Sequence, residues 1–179
     1  MRYWLAKTEP ETFSIDDLQR MGTSMWEGIR SYQARNSMRD DMKRGDWVLI
    51  YHSNAKPSGV AGLGKVVREA YPDFTAWDPT SKYFDPASTP EAPRWLMVDI
   101  AFVETFPRFV PLDELRGHAQ GALEGMVLLA NSRLSVQPVT RKEFNFVCKL
   151  ARGEPIRPRR RRMPASPPPL PVAGIDAVP

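Results

Sequence analysis

Trp26 to Asn36 reads W-E-G-I-R-S-Y-Q-A-R-N, and how these residues are placed decides how the rest of the chain is laid out. Two aromatic rings able to stack on a flat group, two guanidiniums and several amide or hydroxyl groups are interleaved here, with Gly28 as a place to bend. An amphipathic element would segregate its apolar residues at a fixed period. Aromatics mixed with hydrogen-bonding groups are instead typical of surfaces that hold a nucleobase. The same letters also fit a tryptophan that anchors the core ahead of a glycine turn, and composition does not separate the two. Ala34 to Lys43, with Met38 and Met42 one turn apart and a stop at Gly45, is helix-compatible. Tyr32 to Asn36 then lies at a helix entrance, where unpaired backbone N–H groups and polar side chains converge.

Working towards the N-terminus, Ser14 and Asp17 have capping-box spacing, and Ile15, Leu18 and Met21 make a short amphipathic helix that Gly22 ends. Before it, Tyr3 to Lys7 is a short strand closed at Thr8-Glu9-Pro10. In the other direction, Asp46 to Ser53 (D-W-V-L-I-Y-H-S) is a strand with an apolar centre and a polar exit at Tyr51, His52 and Ser53. Val60 to Tyr71 is a second strand whose glycines predict bulges or close backbone approach. Residues 72–93 hold five prolines and read as a long ordered loop. Arg94 to Phe106 is a long strand with Trp95, Met97 and Asp99 on one side and Leu96, Val98, Ile100 and Phe102 on the other. Leu112 to Arg116 predicts a turn or two of helix, Leu123 to Leu129 fits helix or strand, and Leu134 to Val139, with Pro138, fits an edge strand. Thr140 and Glu143 form a capping box ahead of Phe144, Val147, Cys148 and Ala151 at helical spacing. About five or six short strands whose connections do not alternate regularly with helices predict an α+β fold. A small, partly open barrel with peripheral helices suits this pattern better than a βαβ sheet.

Residues 1–152 make one domain, and 153–179 are an Arg/Pro-rich tail expected to stay flexible. Residues 152–179 contain six arginines against Glu154 and Asp176, which is the whole formal charge of +4. Subtracting them from the chain's 25 basic and 21 acidic groups leaves 19 of each in the body. A basic face on the domain therefore does not follow from the high pI.

Lys7 interrupts the N-terminal apolar residues, and no run approaches the roughly 18 apolar residues of a membrane span, so a soluble, cytoplasmic protein without membrane contact is expected. One cysteine and two histidines leave no zinc-type cluster, and no cofactor is called for. Gly59 to Lys65 (G-V-A-G-L-G-K) has the spacing of a phosphate-binding loop, but Val66 replaces the Ser or Thr that magnesium needs and the lysine runs into a strand. Cys148 has no histidine nearby in sequence. The adjacent pairs Asp16-Asp17 and Asp40-Asp41 diverge on their helices, and His118 reads as a solvated loop residue. With no nucleophile, dyad or metal set, the chain is expected not to be an enzyme.

W-L-A-K-T-E-P at Trp4 to Pro10, the Trp26 to Asn36 stretch, G-D-W-V-L-I-Y-H-S-N at Gly45 to Asn54, Y-P-D at Tyr71 to Asp73 and R-L-S-V-Q-P-V at Arg133 to Val139 together resemble the EVE domain. This is a member of the PUA-like superfamily, related to YTH and ASCH modules, and the resemblance runs in order from Trp4 to about Leu150. Ser31 stands where the family commonly has Asn, which alters one base or backbone contact, and Ile29 stands where it commonly has Val, a packing change. The resemblance implies a PUA-like pseudo-barrel that reads modified nucleobases without chemistry, such as 5-methylcytosine or its oxidised forms in DNA, or modified bases in RNA.

On that reading Trp26 and Tyr32 wall or support a base slot, and Gln33, Asn36 and Ser53 hydrogen-bond the base edge. His52 donates to the base or orients Ser53, and Tyr51 completes the nucleobase site. Lys7, Arg30, Arg35 and Arg133 contact phosphates. Two other classes fit the same letters: a general RNA-binding PUA-like module, and a protein-interaction domain acting through the proline-rich tail. Sequence sets no oligomeric state.

Overall fold

The computed structural model describes residues 1–131 and 133–155. Six strands form one mixed sheet in the order β2-β5-β4-β3-β1-β6. They are β1 (Tyr3–Thr8), β2 (Thr23–Trp26), β3 (Trp47–His52), β4 (Gly59–Pro72), β5 (Leu96–Pro111) and β6 (Val136–Val139). β1 runs parallel to β3 and every other pairing is antiparallel. The helices are α1 (Ile15–Met21), α2 (Tyr32–Asp40), α3 (Leu112–Gly117), α4 (Val127–Ala130) and α5 (Arg141–Ala151). The fold is PUA-like α+β, and no helix among the described residues is long and apolar enough to cross a membrane.

Strand alternation divides the interior into two cores. Trp4, Ala6, Val48, Ile50, Val98 and Ile100 join Trp26, Ile29 and the inner faces of α1 and α2. Their neighbours along the strands, Leu5, Leu49 and Tyr51, point the other way and pack with α3, α4 and α5. Successive side chains leave a strand on opposite faces, so this parity fixes which expected site residues share a side.

Both capping boxes form. Ser14 and Asp17 exchange hydrogen bonds at the start of α1, and Thr140 and Glu143 do so at the start of α5. Pro138 lies in the edge strand β6, where no ladder donor is required of it. Gly62 and Gly64 of β4 sit at bulged registers against β5, and a Cβ at Gly62 would come within 2.4 Å of the Glu104 carbonyl oxygen. The phosphate-loop spacing from Gly59 to Lys65 therefore lies inside a paired strand and opens no helix.

Four local expectations are revised. Thr23–Trp26 is a strand, although its exposed edge position gives it no apolar alternation, and β5 extends to Pro111. The 123–129 stretch resolves into turns and the short α4. His118 is half-buried edge-on against Phe146, with ring centroids 4.9 Å apart. The tail beyond Pro155, with the arginine run and most of its prolines, lies outside the described residues.

Candidate nucleic-acid interface

Ser31 is the N-cap of α2, its hydroxyl accepting from the Ala34 N–H at 3.5 Å. Serine and asparagine are both favoured caps, so Ser31 in place of the family's asparagine keeps the helix start. Tyr32 begins the helix and is 53% exposed. Its ring stacks on Trp95 at 5.0 Å and 27°, and the Arg35 guanidinium lies 4.8 Å from the ring centroid. Trp95 is fixed in turn by its indole N–H, which donates to Asp85 at 2.6 Å. Gln33 is exposed at the next helix position, while Asn36 is half-buried and accepts from the Arg35 side chain at 2.7 Å.

The bend before the helix is latched from the 72–93 loop. Asp73, 0% exposed, accepts from the Gly28 N–H at 3.0 Å and the Arg30 guanidinium at 2.8 Å. Arg30 also donates to the Tyr83 carbonyl at 3.0 Å and lies near the rings of Tyr83 and Trp95. Gly28 holds φ at 76°, and a Cβ there would come within 2.4 Å of the Tyr83 ring. Glu27, half-buried beside this latch, has its carboxyl pushed up by burial and by the Asp73 charge.

A second group gathers at the ends of the parallel pair. Thr8 and His52 are cross-strand partners, and Ser53 donates its N–H to the Thr8 carbonyl at 2.8 Å and its hydroxyl to the same oxygen at 3.2 Å. The Thr8 hydroxyl donates to the Phe13 carbonyl at 2.7 Å, and Asn54 donates to Glu9 at 2.6 Å. His52 accepts the Ile15 N–H on Nε2 at 3.0 Å, which requires a neutral ring, and burial pushes its pKa down against the opposing charge of Asp16. The Lys7 N–H donates to Ser135, which brings the segment after Arg133 to the same end. Arg133 itself is exposed.

The two tryptophan roles left open by sequence resolve towards packing for Trp26. It is 5% exposed, inside the first core, and meets Phe13 edge-on at 6.1 Å. Tyr51, 4% exposed, points into the other core, with the Lys7 ammonium 5.5 Å from its ring centroid. Burial raises the pKa of Tyr51 and lowers that of Lys7. The structure thus groups Arg30, Tyr32, Arg35 and Asn36 on one surface and His52 and Ser53 on another, with Gln33 exposed on the same helix, Trp26 beneath, and Tyr51 and the Lys7 ammonium on the reverse side. Asp73, Tyr83 and Trp95 complete the first surface. Only Asp73 had a sequence signal, as the last residue of Y-P-D, because contacts between distant loops leave no periodicity.

A bend locked onto a loop, with a supported aromatic at a helix entrance, is thus set on a mixed six-stranded sheet of PUA-like α+β fold. The chain belongs to the EVE domain family, which residues 2–150 match. Human thymocyte nuclear protein 1 is 45% identical over 170 residues, covering 86% of this chain and 75% of that protein. A hypothetical protein from Leishmania major is 50% identical with a TM-score of 0.81, over 86% of this chain and 96% of that one. The human THYN1 protein, solved in complex with 5-methylcytosine containing DNA, is 44% identical with a TM-score of 0.83, over 87% of this chain and all of that one.

Proposed function

We propose that this chain binds DNA containing 5-methylcytosine as a reader, with no chemistry on the base. The observation that carries this is its likeness to the human THYN1 protein in complex with such DNA. The solvent exposure of Tyr32 supports it, since a ring already held by Trp95 and the Arg35 guanidinium is fixed in place before a base arrives.

The base leaves its stack to reach that ring, at a cost of a few kcal/mol. Stacking on an aromatic returns about 1–3 kcal/mol. Asn36, one helical turn after Tyr32, supplies an amide for the base edge, and Gln33 is an exposed amide at the same helix entrance, whereas Ser53 lies on the separate surface at the strand ends. Arg35 and Arg133 meet the sugar-phosphate strand, whereas Lys7, its ammonium 5.5 Å from the Tyr51 ring on the reverse side of the sheet, is not among these contacts. Arg30 acts differently: its ion pair with buried Asp73 makes it a brace for the bend rather than a phosphate contact. A methyl group moved from water to an apolar surface is worth about 0.8 kcal/mol, or about fourfold in affinity.

One oligonucleotide sequence carrying cytosine, 5-methylcytosine or 5-hydroxymethylcytosine as DNA, and the same sequence as RNA, tests the reading at two salt concentrations. The methylated DNA is expected to bind tightest. Tighter binding of unmodified RNA would replace this function with that of a general RNA-binding module.

A further inference from the structure

On the face of the sheet away from α1 and α2, a cleft of about 420 Å³ is lined by Tyr3, Trp47, Leu63, Phe144, Lys149 and Glu154, among others. Its floor is aromatic. The Phe144 ring lies 4.5 Å from Tyr3 and 6.3 Å from Trp47. Trp4, Trp77 and Trp95 donate their indole N–H groups to Asp46, Ser88 and Asp85, while no acceptor meets the indoles of Trp26 and Trp47 among the described residues, and of these two only Trp47 lines the cleft. Aromatic side chains beside an unused indole donor are the features by which grooves take proline-rich segments, with rings against the prolines and the donor on a backbone carbonyl.

The chain supplies such a segment. α5 ends at Ala151, Glu154 lines the cleft, and the sequence continues to Pro164–Pro171, P-A-S-P-P-P-L-P. The residues between Pro155 and Pro164 span up to about 28 Å at ~3.1 Å each, ample for a site that starts where the chain leaves the helix. We propose that this cleft is the docking site of the chain's own proline-rich segment, Pro164 to Pro171. A short tether gives an effective concentration on the order of millimolar, so even a weak contact is populated. The inference is independent of the DNA reading, because the cleft shares no residue with the Tyr32 surface.

The test uses the full chain and a full-chain variant carrying Pro167→Ser, Pro168→Ser and Pro169→Ser. The readout is the ¹H–¹⁵N indole resonance of Trp47, assigned with Trp47→Phe. The resonance is expected to differ between the two chains at every protein concentration, and a synthetic peptide of residues 162–173 added to the variant is expected to return it to its original position. An identical resonance in both chains overturns the proposal. So does a difference that grows with protein concentration, which would assign the cleft to the tail of a second copy.

Discussion

Tyr32 and Trp26 lie at the two ends of one bend, yet only Tyr32 offers a ring to solvent. Trp26→Ala empties a volume inside the first core and is expected to cost about 3–5 kcal/mol, measured by denaturant unfolding. Tyr32→Ala gives up one stacked pair, about 0.5–1.5 kcal/mol of stability. Its larger effect should be on binding, a loss of about 1–3 kcal/mol for methylated DNA by anisotropy. The reverse pattern would make Trp26 the recognition ring. His52 sets a pH dependence. Its folded pKa is pushed below 6.5 by burial, and the neutral ring accepts the Ile15 N–H. Its stabilisation is fully present above the unfolded pKa and is lost as pH falls through the folded value. The raised carboxyl of Glu27 has the opposite sign, its contribution being present at low pH and lost as pH rises through its folded value. Comparing wild type with His52→Gln isolates the histidine: between pH 7 and pH 5 the wild-type Tm should fall more steeply.

At the scale of elements, the 72–93 loop holds the Gly28 bend through one carboxylate. Asp73→Ala leaves the Arg30 guanidinium, a quarter exposed, without its counter-charge, and a loss of up to about 3–5 kcal/mol is expected in a thermal melt. Binding should fall with it even though Asp73 is fully buried, whereas an unchanged affinity would show that the bend holds itself. α1 and α5 were legible because their caps are local: Ser14 with Asp17 and Thr140 with Glu143 mark starts that the structure reproduces. β3 and β4 were legible from apolar runs and glycines. β2 was not, because Thr23 to Met25 lie largely on the exposed side of an edge strand and take their strand geometry from pairing with β5. Candidate residues adjacent in sequence, such as Tyr51 and His52, were grouped as one site until strand parity sent them to opposite faces.

For the molecule as a whole, fold class and family could be read from ordered motifs, while the composition of the surface required coordinates. Trp95 comes from a strand entrance far along the chain, and it meets Tyr32 only after the sheet closes. Charge adds a whole-chain constraint. The body is balanced, and several of its cations are neutralised at short range, such as Arg30 by Asp73, Arg94 by Asp85 and Arg108 by Glu114. Changing Arg159 to Arg162 to glutamine should therefore flatten the salt dependence of DNA binding, by about 0.9 in log–log slope for each phosphate that is no longer neutralised. An unchanged slope would leave phosphate neutralisation entirely to the body.

Methyl-dependent binding through Tyr32 is tested most directly by anisotropy titrations of one duplex, with and without a single 5-methylcytosine, at fixed salt against wild type and Tyr32→Ala. The wild-type chain should favour the methylated duplex by about fourfold or more, and Tyr32→Ala should bind both weakly and nearly equally. Equal wild-type affinity for the two duplexes, or an undiminished preference in Tyr32→Ala, would contradict it.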